Sequence, residues 1–311
     1  MSENLKESRT ERTSRGLPGP SENGSIPSPE GESFLLGHFK RTVLKGPSLL
    51  ALLVVGTIGL VALLAPFLST SDPIALNPAQ RLKPPSFAHW FGTDSYGRDI
   101  YSRVIYGSRV SLVVGLGAAL MSVAIGLLIG MIAGFIRLAD AFIMRFMDGL
   151  MAIPGILLAI AMVSVAGASL FTVLVAITIP EIPRVVRLVR GVILTVKNEP
   201  YVEAALSLGT PIPILLLRHM LPNTIPPAIV QGTYIFASAI LTEAILGFLG
   251  AGIPPENPSW GNIMAEGRMF FQLMPGLILY PGLFLSLTVL SVNVLGDAMR
   301  DALDPRMARR L

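Results

Sequence analysis

Residues 110–136 read VSLVVGLGAALMSVAIGLLIGMIAGFI and contain no charged side chain. At about 1.5 Å per residue, a helix of this length extends about 40 Å, which exceeds the roughly 30 Å hydrocarbon core of a bilayer. An uncharged apolar run of 18 or more residues is typical of a transmembrane helix. The segment therefore predicts a helix that crosses a membrane.

The composition of the whole chain supports a membrane environment. Hydrophobic residues make up 52% of the 311 residues and charged residues 14%, and the mean hydropathy is +0.64. Soluble globular domains carry roughly 25% charged residues, so this composition excludes an ordinary soluble fold. The chain contains no cysteine, which excludes disulfides and thiolate metal sites, and we expect no bound metal.

Apolar runs along the chain predict an all-α polytopic membrane protein with six transmembrane helices. One uncharged run, residues 149–180, is too long for one helix and too short for two. We expect Gly167, Ala168 and Ser169 to divide it, with the flanking helices extending beyond both ends of the run. The predicted spans are about 49–68, 110–136, 142–166, 170–190, 225–249 and 274–295.

Polar stretches complete the predicted organisation. Residues 1–33 are rich in Ser, Glu, Gly, Pro and Arg and lack apolar periodicity, which predicts a disordered cytoplasmic tail. The other predicted parts are an interfacial segment with the first transmembrane helix at 34–68, a periplasmic loop at 69–109, a transmembrane core at 110–300 that includes a cytoplasmic loop at 191–223, and a cytoplasmic tail at 301–311.

The distribution of Lys and Arg predicts the orientation. With the N-terminus inside, 18 of the 24 Lys and Arg residues fall in inside segments. Cytoplasmic segments carry the excess of positive charge in membrane proteins. Both termini are therefore expected in the cytoplasm.

The inside loop contains EPYVEAALSLGTPIPILLLRHMLPN at residues 199–223, which predicts two short helices. Asn198 is expected to cap the first helix and Gly209 to end it. Thr210 is expected to cap the second helix beside Pro211, and Pro222 to stop it. One apolar stripe at helical spacing comprises Tyr201, Ala204, Ala205 and Leu208. Such a loop can dock in a groove on a partner protein or lie on the membrane surface.

The spacing of Glu203, Ala204, Ala205, Gly209, Leu221 and Pro222 resembles the EAA loop of bacterial ABC importer permeases. The resemblance implies that the loop enters a cleft on an ATP-binding partner subunit. ATP hydrolysis is then expected on that partner, since this chain lacks a GxxxxGK[ST] phosphate loop. The coupling residues that the resemblance implies are Glu203, Ala204, Ala205, Gly209, His219, Leu221, Pro222 and Asn223.

A second motif precedes the second span, where residues 91–112 read FGTDSYGRDIYSRVIYGSRVSL. Thr93 or Asp94 is expected to cap a helix, and Gly97 to permit a turn. Asp99 and Arg103 stand four residues apart, a spacing that favours an ion pair on one helix face.

The pattern GTDxxGRDxxSRxxxGxRxSL resembles the second membrane subunit of dipeptide, oligopeptide and nickel-type ABC permeases, over about residues 38–305. The resemblance implies an ABC type I importer permease fold in a bacterial inner (plasma) membrane. It also implies a sister permease subunit, two ATP-binding subunits that carry ATP and Mg, a periplasmic or extracellular substrate-binding protein, and peptides as substrate. No cofactor is expected in this chain. The periplasmic motif comprises Gly92, Thr93, Asp94, Gly97, Arg98, Asp99, Ser102 and Arg103.

Two alternatives stay open at this stage. The same type of complex can import nickel chelates or another small solute. A secondary transporter driven by an ion gradient would use Glu243, inside the fifth span, as a proton relay. We favour the interpretation that Glu243 bonds within the helix bundle or faces the translocation path.

Enzymatic and nucleic-acid functions have little support. The three histidines, His38, His89 and His219, lie outside the predicted spans, and there is no HExxH motif, so we expect no catalytic site. The basic residues follow the positive-inside rule without forming a stripe, so no nucleic-acid partner is expected.

Several residues of the spans carry weaker predictions. Gly126, Gly130 and Gly134 form overlapping GxxxG units that permit close approach of another helix, in this chain or in a sister subunit. Pro154 predicts a kink in the third span. The charges expected to anchor the inner ends of the third and fourth spans are Asp148, Glu181, Arg184, Arg187 and Arg190.

Overall fold

The computed structural model describes residues 46–303, so the predictions for residues 1–33 and for the end of the C-terminal tail lie outside the described residues. Within this range the chain forms eleven α-helices. They are α1 Pro47–Leu63, α2 Ala65–Leu68, α3 Ile100–Phe135, α4 Arg137–Met151, α5 Gly155–Ala166, α6 Leu170–Val196, α7 Pro200–Ser207, α8 Ile212–Leu215, α9 Leu221–Phe248, α10 Trp260–Gly267 and α11 Gly276–Leu303.

Among the described residues, three helices are long and apolar enough to cross a membrane: α3, a continuous helix Ile212–Phe248 that contains α8 and α9, and α11. The bent pair of α4 and α5 adds a fourth candidate. α1 is apolar but has only 17 residues, and α6 carries the charges of Glu181, Arg184, Arg187 and Arg190. The all-α polytopic class is confirmed, and the count of six spans stays a prediction.

The helix boundaries differ from the predictions in several places. α3 begins at Ile100 and α6 ends at Val196, so both helices extend beyond the predicted spans. The third span is not one helix from residue 142, because α4 and α5 meet at 85° across residues 152–154. Pro154 explains this break, since proline removes an amide donor and its ring clashes with the preceding turn. The predicted break at Gly167 is confirmed, because α5 ends at Ala166, Gly167 has a φ of 86°, and α6 begins at Leu170.

α3 and α6 pack closely along a row of glycines. A Cβ atom added at Gly130 would lie 2.7 Å from Cβ of Val189 and 3.0 Å from the carbonyl oxygen of Val186. Gly126 faces Val185 and Gly134 faces Ile193 in the same way. The predicted GxxxG contact is thus made within this chain, where small residues let two backbones approach.

The short helix α10 lies against the beginning of α3, the end of α9 and the beginning of α11. Ser259 and Asn262 form a capping box at its start. Trp260 is fully buried and donates its indole N–H to the carbonyl oxygen of Val104 at 3.1 Å. A Cβ atom at Gly261 would lie 2.7 Å from Cα of Ala244, so α10 contacts α9 backbone to backbone.

Candidate functional site

The loop between α6 and α9 is two helical pieces joined at Gly209. Gly209 has a φ of 76°, and its N–H donates to the carbonyl oxygen of Leu206 at 3.0 Å. The N–H of Thr210 donates to the carbonyl oxygen of Ala205 at 3.1 Å. These two bonds form a Schellman motif, which ends α7 sharply. Gly209 therefore ends the first helix, as the sequence predicted.

Three other predictions for this loop are wrong. Asn198 does not cap α7, because its side chain donates to the carbonyl oxygen of Leu194 at 3.2 Å. Thr210 does not cap α8, whose N-cap is Pro211. Pro222 does not stop the second helix: a π-helical turn, Leu216–Met220, leads directly into α9. Pro222 lies in the first turn of α9.

The loop has one face buried in the protein and one face exposed. Val202 and Ala205 are buried and belong to a hydrophobic cluster that also contains Leu215 and residues near the ends of α3 and α6. Glu203 is exposed, and so are the stripe residues Tyr201, Ala204 and Leu208. The exposed fraction of Leu208 is 87%. The predicted stripe is therefore divided, with Ala205 turned inward and the rest available for a partner.

Polar contacts fasten α7 to the beginning of α9. The Asn223 side chain donates to the hydroxyl of Tyr201 at 3.2 Å and to the carbonyl oxygen of His219 at 2.7 Å. The ring centroids of Tyr201 and His219 lie 6.3 Å apart. Leu221 is half-buried and Pro222 exposed beside these contacts. The loop therefore forms one unit with α9, a connection that the sequence did not reveal.

At the opposite end of the helix bundle, the sequence motif of residues 91–112 folds around a buried group of charges. Asp94 accepts hydrogen bonds from the backbone N–H of Tyr96 at 2.8 Å and of Arg98 at 2.9 Å. Its second oxygen accepts from Arg98 Nε at 2.6 Å and from Arg103 Nη1 at 2.5 Å. Asp94 therefore organises a turn and neutralises two arginines.

Glu266 of α10 completes this group of charges. Its carboxylate accepts from Arg103 at 2.6 Å and 3.1 Å and also from Arg98. Arg98 and Arg103 are 6% and 1% exposed, respectively. Two carboxylates thus balance two guanidinium groups, a condition that buried charges require.

Asp99 has a different role from the predicted one. It is the N-cap of α3, because its carboxylate accepts from the N–H of Ser102 at 2.8 Å, and it contacts His89 Nδ1 at 2.9 Å. The predicted pair of Asp99 with Arg103 is wrong, since Arg103 turns toward Asp94 and Glu266. Neither Thr93 nor Asp94 caps the helix: the Thr93 hydroxyl accepts from the N–H of Lys83 at 2.8 Å.

Two glycines allow the loop that precedes α3 to close. Gly97 has a φ of 76°, and a Cβ atom there would lie 1.8 Å from the carbonyl oxygen of Asn77. Gly92 has a φ of 81° and faces the carbonyl oxygen of Lys83. A side chain at either position would clash with backbone, in a conformation that favours glycine. The motif of residues 91–112 thus shapes a folded loop and secures it to α10.

Glu243 lies in α9 and is completely buried. One carboxylate oxygen accepts from the Ser111 hydroxyl at 3.1 Å. That hydroxyl also accepts from the N–H of Trp260 at 3.4 Å. Glu243 therefore bonds within the bundle, at the junction of α3, α9 and α10. Across residues 46–303, no three His, Cys, Asp or Glu side chains are grouped so that they could hold a metal ion.

Long apolar helices that pack together, with an exposed helix–glycine–helix loop at one end, are the architecture of a multi-pass membrane protein. The chain belongs to the family described as the binding-protein-dependent transport system inner membrane component, whose model matches residues 126–309. The chain is thus the membrane-spanning subunit of an ABC transporter, a class that works with ATPase and substrate-binding partners.

Similar proteins cover most of the chain. A probable peptide ABC transporter permease of Sinorhizobium fredii is 53% identical over 251 residues, 81% of this chain and 86% of that protein. A dipeptide transport system permease of Alkalihalophilus pseudofirmus is 42% identical over 270 residues, 86% of this chain and 89% of its own length. A glutathione transport system permease of Pectobacterium atrosepticum is 44% identical over 224 residues, 72% of this chain and 74% of that protein.

Proposed function

We propose that this chain imports di- or oligopeptides as one of two different permease subunits in an ATP-driven complex. The names of the similar proteins, which refer to peptides, dipeptides and glutathione, support a peptide substrate. Two ATP-binding subunits supply ATP and Mg, and a periplasmic or extracellular binding protein delivers the peptide. The chain crosses the bacterial inner (plasma) membrane six times with both termini in the cytoplasm, and it catalyses no reaction itself.

The α7–Gly209–α8 loop is the observation that carries this proposal. Its inner face packs against residues of α3 and α6, while its outer face exposes apolar side chains such as Leu208. The helix that begins in the loop with α8, Ile212–Phe248, is continuous over 37 residues and about 55 Å long. A partner that moves the loop therefore moves the whole helix.

The mechanism follows from this connection. ATP-driven closure of the two ATPases draws the coupling loops of the two permease subunits together. Because α9 continues from the loop through the bundle, the pathway opens outward and receives peptide from the binding protein. Hydrolysis then releases the loops and resets the pathway, which is alternating access between two states of the bundle.

The proposal is tested by removing the exposed carboxylate of the loop. Among residues 46–303 no hydrogen bond or ion pair involves the Glu203 side chain, so Glu203→Ala leaves this subunit folded. We expect ATP hydrolysis by the reconstituted complex to lose its coupling to peptide uptake. Glu256→Ala, at an exposed position in the outer loop, is the matched control and keeps normal coupling. Normal uptake per ATP in both variants would refute the proposal.

Two outcomes would instead support the alternative functions. In a secondary transporter, uptake by this chain survives ATP depletion and collapses with an ionophore, and Glu243→Gln abolishes it. In an importer of nickel chelates or another small solute, excess dipeptide does not compete with the radiolabelled solute. The peptide proposal predicts the reverse of each result.

A further inference from the structure

A polar cavity lies where α4 bends into α5. It has a volume of about 420 Å³ and is bordered by the bend on one side and by α6 and α9 on the others. This volume is within the range of roughly 300–1,000 Å³ that is typical of small-molecule sites. The lining residues used below are Pro154, Glu181, Arg184, Ser238 and Thr242.

The bend itself requires a polar neighbour. Residues 152–154 leave the helical path, and α5 begins without a side-chain cap. The first amides of a helix have no partner inside it. At membrane depth, such irregular backbone is tolerated where it is buried in protein or lines a water-filled cavity. The break between α4 and α5 therefore fits the edge of an aqueous site.

The cavity also contains charges of both signs near the middle of a helix. Glu181 is 8% exposed and lies eleven residues after the start of α6, about 17 Å along it. Its two carboxylate oxygens each accept from Arg184 Nη1 at 3.0 Å. Ser238 of α9 donates to the same carboxylate at 3.5 Å. Charges at this depth are costly and are typical of substrate pathways.

This ion pair differs from its neighbours on α6. Arg187 pairs with Asp148 at 2.7 Å and Arg190 with Asp140 at 2.5 Å, so both arginines connect α6 to α4. Glu181 and Arg184 are three residues apart on the same helix, so their ion pair itself connects no two helices, and Glu181 contacts α9 through the 3.5 Å hydrogen bond from Ser238. The Arg184 side chain is 55% exposed. The pair can therefore open for a ligand without loosening the bundle.

We propose that this cavity is a transit site that binds the peptide during its passage. Glu181 receives the N-terminal ammonium group, and Arg184 receives the C-terminal carboxylate or a backbone carbonyl. The hydroxyls of Ser238 and Thr242 contact the peptide bond. A zwitterion matches a cavity that presents one charge of each sign and two hydroxyls. This assignment rests on the proposed import of peptides.

The first experiment measures ATP-dependent uptake of radiolabelled dialanine by the reconstituted complex. Glu181→Gln is expected to raise the KM of uptake about tenfold or more, the effect of losing one hydrogen bond to a charged group. Glu181→Asp keeps the charge and restores part of the affinity. Asp148→Asn, which breaks the neighbouring pair outside the cavity, is the control and leaves the KM unchanged. ATPase stimulation by the loaded binding protein stays normal in Asp148→Asn, which shows that the control complex is correctly assembled.

The second experiment detects occupancy directly. Because the chain contains no cysteine, Thr242→Cys introduces its only thiol. In the assembled complex, dialanine is expected to slow maleimide labelling at this position, whereas N-acetyl-dialanine does not. Adding Glu181→Gln removes the protection.

The outcomes separate the two proposals. If the wild-type complex imports dialanine but Glu181→Gln leaves the KM of uptake unchanged, as Asp148→Asn does, the transit site is refuted and the importer proposal stands. A thiol at position 242 that stays unreactive in every nucleotide state shows that a sister helix fills the cavity, which also refutes the site. If the wild-type complex imports no peptide, the importer proposal fails and the transit site fails with it.

Discussion

Replacing Gly130 with alanine tests the contact between α3 and α6. The new Cβ atom would lie 2.7 Å from Cβ of Val189 and 3.0 Å from the Val186 carbonyl oxygen. Carbon atoms attract each other best at about 3.5–4.0 Å, so the two helices must separate by up to about 1 Å. Overpacking of this kind costs about 1–3 kcal/mol. Alanine also favours the helix by about 1 kcal/mol, which offsets part of the loss.

Gly191→Ala is the matched control, because Gly191, like Gly130, lies inside a long helix, here α6, and a Cβ atom at Gly191 meets no neighbour within 4 Å. The gain in helix propensity is the same in both variants. The difference between their free energies of unfolding in detergent therefore isolates the packing cost, about 1–3 kcal/mol. Equal stability of Gly130→Ala and Gly191→Ala would show that α3 and α6 do not approach as closely as described.

Two further contrasts follow from the same structure. Arg103→Gln removes one of the two buried guanidinium groups that balance Asp94 and Glu266, and it is expected to lower the free energy of unfolding by about 3–5 kcal/mol. Asp148→Asn breaks a pair whose side chains are 45% and 56% exposed, and it is expected to change the free energy of unfolding by less than about 1 kcal/mol. Equal losses of stability in chemical denaturation would contradict this contrast. Gly97→Ala would place a Cβ atom 1.8 Å from the carbonyl oxygen of Asn77, whereas Gly167→Ala meets no atom within 4 Å and costs only the backbone strain of about 1–3 kcal/mol. The thermal midpoint should therefore fall further for Gly97→Ala, and the reverse order would contradict the loop geometry.

Hydrophobic run lengths predicted the helical class well, because membrane thickness sets the length of an apolar segment. They could not predict the 85° bend between α4 and α5. Pro154 signals a kink, but its angle depends on what packs around it. The glycine row of α3 predicted a close contact, but not that α6 supplies it, since the pattern specifies only one side of an interface.

Local rules were least successful where long-range contacts compete with them. The spacing of Asp99 and Arg103 favours an ion pair on a helix, but Asp99 caps α3 and Arg103 pairs with Glu266, 163 residues away. At the inner loop, Gly209 was predicted correctly because a left-handed position is a property of one residue. Pro222 was predicted wrongly because a proline that stops one helix also fits the first turn of the next.

Accessibility at position 208 tests the central claim that the α7–Gly209–α8 loop is the docking surface for an ATPase. Leu208 is 87% exposed, and the chain contains no cysteine, so Leu208→Cys adds its only thiol. Phe87→Cys, at a fully exposed position of the outer loop, is the control. Maleimide should label both thiols rapidly in the isolated subunit and, in the assembled complex, only the one at position 87. Equal labelling of position 208 with and without the ATPase subunits would contradict the account.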